Sequence, residues 1–370
     1  MDADKKVFIT ATSLSCCGGD SEGELFSNIL NKNSGIEVVE NYFLDYSIAI
    51  GRLESKLTFY ECLESKAQEL LDKSNIKNFE STLLLVGSSV GGMNTTESIY
   101  IKDGDYTNIN PNLHNINTID FLLQKKFKFK DSFSFSTACT SSANAIGFAY
   151  EVVKKGLYEN VVVLGADALS KTTMGGFLSL GVLSSMPCNP FDKNRDGMNV
   201  SEAIAYLLIQ SEPTKNSVEI CGVGYSSDAY HITHPHPQGL GAKKAIKNAL
   251  DSANIQSEQV EYINAHGTGT KANDNIEAMA LESIFRHNPD ISSTKSITGH
   301  SLGAAGSLEA IISKLVLENQ ILPPNTFLEN PENRNINLLT KSKKQEVNYV
   351  LSNSFAFGGN NCSLVFKRVQ

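Results

Sequence analysis

A chain of 370 residues exceeds what one hydrophobic core ordinarily supports, so two domains or two layered halves are expected. With 41% hydrophobic and 19% charged residues and no low-complexity tract, the composition is that of a globular protein and excludes intrinsic disorder. A net charge of −8 argues against nucleic acid as the main partner, no window is apolar enough for a membrane span, and seven cysteines without metal or disulfide spacing point to a reducing, cytoplasmic setting.

The N-terminus leads at once into a short strand pattern, Val7-Phe8-Ile9-Thr10. Lys125, Lys126, Lys128 and Lys130 fall within six positions and read either as a solvated face or as a docking patch for an acidic partner. In Ser132-Phe133-Ser134-Phe135-Ser136 the aromatics alternate with serines, the period-two mark of a half-buried strand. Cys139 follows in Thr137-Ala138-Cys139-Thr140, after which Ala145, Ile146, Ala149, Val152 and Val153 recur at helical spacing until Lys154-Lys155-Gly156 ends the helix. Val161 to Leu164 then read as a buried strand, reached by a right-handed parallel crossover. A thiol where a helix begins meets unpaired N–H groups and the positive end of the helix dipole; both favour thiolate and can hold a developing oxyanion. Taken alone, Cys139 reads as readily as a small core residue.

The second half carries the polar chemistry. Val260 to Ile263 form a short strand that opens into Asn264-Ala265-His266-Gly267-Thr268-Gly269-Thr270, where flanking glycines let backbone approach a ligand. Asp274 and Glu277 start the next helix, whose buried stripe is Ala278, Leu281 and Ile284. Lys295 and His300 stand five residues apart ahead of another helix; a buried Lys295 requires an acidic partner, and Glu309 is the nearest in sequence. Asn353-Ser354-Phe355-Ala356-Phe357-Gly358-Gly359 ends a strand in a glycine turn before the strand Ser363 to Phe366. Such a turn suits a backbone amide brought close to a reacting centre, or the hinge of an aromatic gate.

Thr137-Ala138-Cys139, Pro190-Phe191-Asp192 with Arg195-Asp196-Gly197, the His266 loop, Lys295 with Thr298-Gly299-His300, and Phe355 to Gly359 together resemble the elongating β-ketoacyl-acyl-carrier-protein synthases, in that family's order. The resemblance implies an α/β thiolase-like fold, two stacked αβαβα halves forming a five-layered core. Residues 1–213 are expected to form the half with the nucleophile and 214–370 the half with both histidines and the lysine, although no repeat is visible in the sequence. It implies decarboxylative condensation of a Cys139-bound acyl chain with malonyl-acyl carrier protein to a 3-oxoacyl product. In that chemistry His266 and His300 donate to the enolate and Lys295 supports them. Glu309, Asp274 and Glu277 act behind these, the N–H groups of Cys139 and Phe357 form the oxyanion hole, Phe357 with Gly358 forms a gate, and Thr96 shapes the acyl pocket. No metal or redox cofactor is expected, since phosphopantetheine arrives on the carrier protein. The expected assembly is a homodimer or a heterodimer with a related subunit.

Two departures stand out. Met198 to Ala203 replace the aromatic and the glycine-acid-glycine turn usual in the family. The family's basic docking helix, here Lys56 to Lys73, is diluted by Glu61, Glu64 and Glu69, which shifts carrier-protein docking toward Lys125, Lys126 and Lys128. A non-catalytic chain-length partner would lack the nucleophile, and a thiolase would need a second cysteine near the C-terminus, where Cys362 lies. A structural scaffold would leave Lys295 and the glycine-bounded histidines unexplained.

Overall fold

The computed structural model describes residues 4–43, 45–55 and 57–369; Lys56, named above as the start of a docking helix, lies outside the described residues. In the first half β1 (Phe8–Cys16), β2 (Leu83–Gly87), β3 (Asp131–Phe135), β4 (Asn160–Asp167) and β5 (Ala203–Gln210) lie in the order β3-β2-β4-β5-β1. β3, β2 and β4 run parallel, while β5 is antiparallel to both β4 and β1. The second half contains β6 (Val218–Ser227), β7 (Tyr262–Asn264), β8 (Asp290–Ser292), β9 (Tyr349–Phe355) and β10 (Asn360–Arg368), in the order β8-β7-β9-β10-β6. Its parallel and antiparallel pairs fall at the same places. The duplication absent from the sequence is therefore present in the topology, because strand pairing depends on burial and period rather than on residue identity. The two leaves join through Phe8 with Glu219 and Ile9 with Val218, and the short strand Asn337–Leu338 extends the second beyond β8.

Helices make three further layers. α1 (Phe59–Lys73) packs on β1 and β5; α2 (Met93–Asp103) and α3 (Thr118–Phe127) link β2 to β3, with α3 against both. α4 (Ser141–Lys154) follows Cys139 and lies between the leaves. α5 (Leu240–Ala253) and α6 (Lys271–Ile284) cover the second leaf, and α7 (Ala305–Asn319) packs against α4 in the middle. The arrangement is α, β, α, β, α. Every residue of α7 from Ala305 to Leu317 is buried, as expected of a helix covered on all sides. Each of Leu308, Ile311 and Ile312 contributes about 1.5–3 kcal/mol by leaving water. At Gly306 the helices approach so closely that a Cβ would stand 2.5 Å from the Ala143 nitrogen.

The β3 expectation needs correction. Phe133 is 54% exposed, because β3 is the open edge of the first leaf and has a neighbour only in β2. By contrast, Val161 to Leu164 of β4 are wholly buried between helical layers. Among the described residues no helix is long and apolar enough to cross a membrane.

Candidate active site

The fold places Cys139 and His300 at equivalent positions, each in the loop between the third strand of its half and the central helix that follows. At the first, Ala138 has φ 53°, a left-handed conformation costing on the order of 1–3 kcal/mol in a non-glycine residue. The turn is held by Thr137 N–H donating to Ser141 Oγ at 2.9 Å and by Asn144 Nδ2 donating to Thr137 Oγ1 at 2.8 Å. These bonds fix where the sulfur points.

Burial pushes the Cys139 thiol up to about 11, against the pull of the Lys295 ammonium and of the Cys139 and Phe357 N–H groups, with the Asp167 carboxylate adding a smaller upward push. The helix-start N–H groups do pull toward thiolate, as the sequence suggests, and desolvation outweighs them. The same two N–H groups both face the sulfur, as an oxyanion hole at this thioester requires.

His300 Nε2 lies 3.0 Å from Cys139 Sγ. The His266 ring stands 5.3 Å from that of His300, centroid to centroid, with the planes 86° apart. Lys295 Nζ donates to the His266 carbonyl at 2.6 Å, pairs with Glu309 Oε1, and lies 3.5 Å from His266 Nδ1. An ammonium can only donate, so His266 Nδ1 accepts and the ring proton sits on Nε2. Burial first, and then the Lys295 charge, holds both imidazoles well below their ordinary pKa, so both are neutral at pH 7.

Backbone clamps hold the histidines. Glu277 accepts from the N–H groups of His266 and Gly267, both at 2.8 Å, while burial raises its carboxyl to about 7. Asp274 accepts from Phe191 N–H at 2.8 Å and meets buried Arg195 at 3.3 Å, joining the Pro190 to Gly197 motif to the His266 loop. His300 N–H donates to the Asn199 carbonyl at 2.7 Å, and the His300 carbonyl accepts from Ser201 N–H at 3.1 Å. The divergent Met198 to Ala203 segment therefore grips His300 directly. Sequence reasoning missed Asp167, wholly buried at the end of β4. It accepts from Ser88 Oγ at 2.6 Å, Val90 N–H at 2.8 Å and Gly303 N–H at 2.6 Å, tying the first half to the loop after His300. Its only sequence signal is an acid directly after the apolar run that ends at Ala166.

Cys139, His266 and His300 line one pocket with Phe177, Met198, Thr268, Thr270, Phe357 and Gly358. Phe357 stands 6.3 Å from Phe177, ring to ring, and Gly358 N–H donates to the Ile232 carbonyl at 2.8 Å. Thr96 does not line this pocket; its hydroxyl bonds the Met93 carbonyl and His114 Nδ1. Met93 nevertheless belongs to the apolar cluster that includes Phe177 and Met198. Lys125 and Lys126 end α3, Lys128 caps it, and Lys126 pairs with Glu64 of α1 at 3.1 Å. The two docking segments weighed separately thus border one groove, lined by Tyr60, Leu63, Leu122, Lys125 and Lys126. Cys362 is fully buried in β10 and does not line the catalytic pocket.

Residues 58–215 match the family described as "Beta-ketoacyl synthase, N-terminal domain" and residues 217–329 the one described as "Beta-ketoacyl synthase, C-terminal domain". The chain belongs to the β-ketoacyl synthase family. It is an acyltransferase of the chain-elongating, condensing kind. Among its relatives, 3-oxoacyl-[acyl-carrier-protein] synthase 1 of Buchnera aphidicola is 31% identical, covering 98% of this chain and 99% of the relative. The corresponding synthase 2 of Coxiella burnetii is 36% identical over 77% of this chain and 74% of the relative. In structure, a ketosynthase (ApeO) solved in complex with its chain length factor (ApeC), from Xenorhabdus doucetiae, superposes with a TM-score of 0.90 at 31% identity, covering 99% of this chain and 98% of that one. The thiolase-like fold implied by the motifs is the fold of this synthase.

Proposed function

We propose that this synthase takes an acyl chain from the phosphopantetheine of an acyl carrier protein onto Cys139 and extends it with malonyl-acyl carrier protein. The observation that carries the reading is the 3.0 Å contact of Cys139 Sγ with His300 Nε2 in a pocket shared with His266. In the first step a Cys139 S–C bond forms, the S–C bond to the arm breaks, and the arm leaves as a thiol with the proton that Cys139 gives up. The N–H groups of Cys139 and Phe357 receive the carbonyl oxygen's charge.

Malonyl carrier protein then enters. Breaking the carboxylate C–C bond releases carbon dioxide and leaves an electron pair as an enolate, whose oxygen is held by the neutral N–H donors of His266 and His300. The enolate carbon attacks the Cys139 thioester, the S–C bond breaks, and the 3-oxoacyl product departs on the arm while the Cys139 thiolate takes up one proton from water. Loss of carbon dioxide drives the step, so the reaction calls for no metal or redox cofactor. Lys295 fixes the His266 tautomer, Glu309 neutralises Lys295, and Phe357 with Gly358 forms the gate. The contact between β3's exposed edge and a second subunit, identical or related, would cover Phe133. The intact Cys139, His266 and His300 support the ketosynthase side of such a pair rather than a chain-length partner. The α1–α3 groove with Lys125 and Lys126 offers cations for carrier-protein docking, and the setting is cytoplasmic.

The test is intact-protein mass spectrometry after incubation with acyl carrier proteins of graded chain length. Acylation of Cys139, absent in Cys139→Ala, is the expected result. No adduct on folded protein would overturn the reading.

A further inference from the structure

Asn199 belongs to the divergent segment Met198 to Ala203, and its side chain has no part in the chemistry described so far. It is wholly buried, yet neither end of the carboxamide is orphaned. Oδ1 accepts from Cys188 N–H at 2.6 Å, and Nδ2 donates to the Met186 carbonyl at 2.9 Å. The amide thereby fastens the loop ahead of Pro190 to the segment whose backbone holds His300.

Cys188, itself buried, carries that hold onward, with its Sγ 3.4 Å from the Lys295 carbonyl. Burial pushes this thiol up to about 12, so the sulfur keeps the proton it donates. The Lys295 carbonyl also accepts from Gly299 N–H at 2.9 Å, which closes the single turn Lys295–Thr298 directly ahead of His300. His300 N–H then donates to the Asn199 carbonyl at 2.7 Å. The bonds form a closed ring that runs from Asn199 to Cys188, on to Lys295, through Gly299 to His300, and back to Asn199. A helix of four residues has almost no internal hydrogen bonding, so the spacing of Lys295 and His300 depends on what is fastened to that turn from outside.

We propose that Asn199, acting through Cys188, is a positioning residue that sets where Lys295 stands relative to His300. The inference rests on the condensation reading above and gives the divergent segment a part in it. The backbone carbonyl of Asn199 survives any substitution there, so losing the carboxamide leaves His300 tied and slackens only the Lys295 side of the ring. Lys295 then ceases to fix the His266 tautomer, and the enolate loses a well-aimed donor. An apolar side chain at this position also strips the buried Cys188 N–H of its acceptor, which drives the loop to move.

The test uses the full chain in two assays: acylation of Cys139 by acyl carrier protein, read by mass spectrometry, and release of labelled carbon dioxide from malonyl carrier protein. Asn199→Leu, close to asparagine in shape, should lower carbon dioxide release by about 10–100-fold, the scale on which a displacement of up to about 1 Å is felt, and lower acylation far less. Cys188→Ala should show the same split, and Cys188→Ser, which keeps a donor, should restore release. The double variant Asn199→Leu with Cys188→Ala should be no slower than Asn199→Leu alone, because both break one line of contacts. Thermal melting reports folding, and if Asn199→Leu does not fold, the Cys188→Ala and Cys188→Ser pair decides the matter. Equal losses in the two assays, no loss, or losses that multiply in the double variant overturn the proposal. A wild-type protein that releases no carbon dioxide instead overturns the condensation reading beneath it.

Discussion

Replacing Glu309 by Gln removes the carboxylate that pairs with the Lys295 ammonium, in a place from which water is excluded. The shape is kept and the charge is lost. Breaking a buried pair by removing one partner costs about 3–5 kcal/mol, because the remaining charge stays desolvated. Unfolding entropy of about 2.1 cal/mol/K per residue gives this 370-residue chain about 0.8 kcal/mol/K, so Glu309→Gln should lower the melting temperature by about 4–6 °C. Lys295 should also drift from its position 3.5 Å from His266 Nδ1, releasing the tautomer and slowing malonyl decarboxylation. Lys295→Met combined with Glu309→Gln removes both charges, and melting should largely recover while decarboxylation stays impaired. The assays are differential scanning fluorimetry and release of labelled carbon dioxide from malonyl carrier protein. A Glu309→Gln protein that melts within about 1 °C of wild type and decarboxylates normally would refute the role given to this pair.

Because burial raises the Cys139 thiol to about 11, its alkylation by iodoacetamide in the resting protein should climb steadily between pH 8 and 10, with thiolate appearing only as pH approaches that value; a half-maximal rate near pH 8.5, as for an ordinary cysteine, would contradict it. His266→Ala should still acylate Cys139 yet lose decarboxylation by about 10²–10³-fold, the usual effect of deleting one oxyanion donor, and a normal rate of carbon dioxide release would remove His266 from that role. His300→Ala should slow both half-reactions, since its ring touches the sulfur as well as the shared pocket; unaltered acylation would confine His300 to the second step. Charge reversal at Lys125 and Lys126 should raise KM for carrier protein, most strongly at low salt, while leaving acylation by free acyl-pantetheine unchanged; equal effects on both substrates would move docking elsewhere.

The order of motifs along the chain was enough to bring Cys139, His266, Lys295, His300 and Phe357 together on paper. Each sits where a strand or helix pattern breaks into glycines and small polar residues, and such breaks are local features. Glu309 was legible too, since a buried lysine demands a counter-charge nearby. The strand and helix periods in both halves could likewise be read directly.

Other features depended on which distant surfaces meet. The repeated strand order is invisible residue by residue, because many different apolar sequences satisfy one pairing pattern. Phe133 reads as half-buried by its alternation and is exposed because β3 has a neighbour on one side only. The Cys139 thiol follows the same logic: a helix end is written in the local sequence, whereas the surroundings of the sulfur are set by remote residues such as His300, Lys295 and Phe357. Asp167 gathers its donors from Ser88, Val90 and Gly303, residues far apart in the chain that only the packed halves bring within reach of one carboxylate. Local patterning thus determined which groups this synthase possesses, and desolvation by remote segments decided their protonation and what they face.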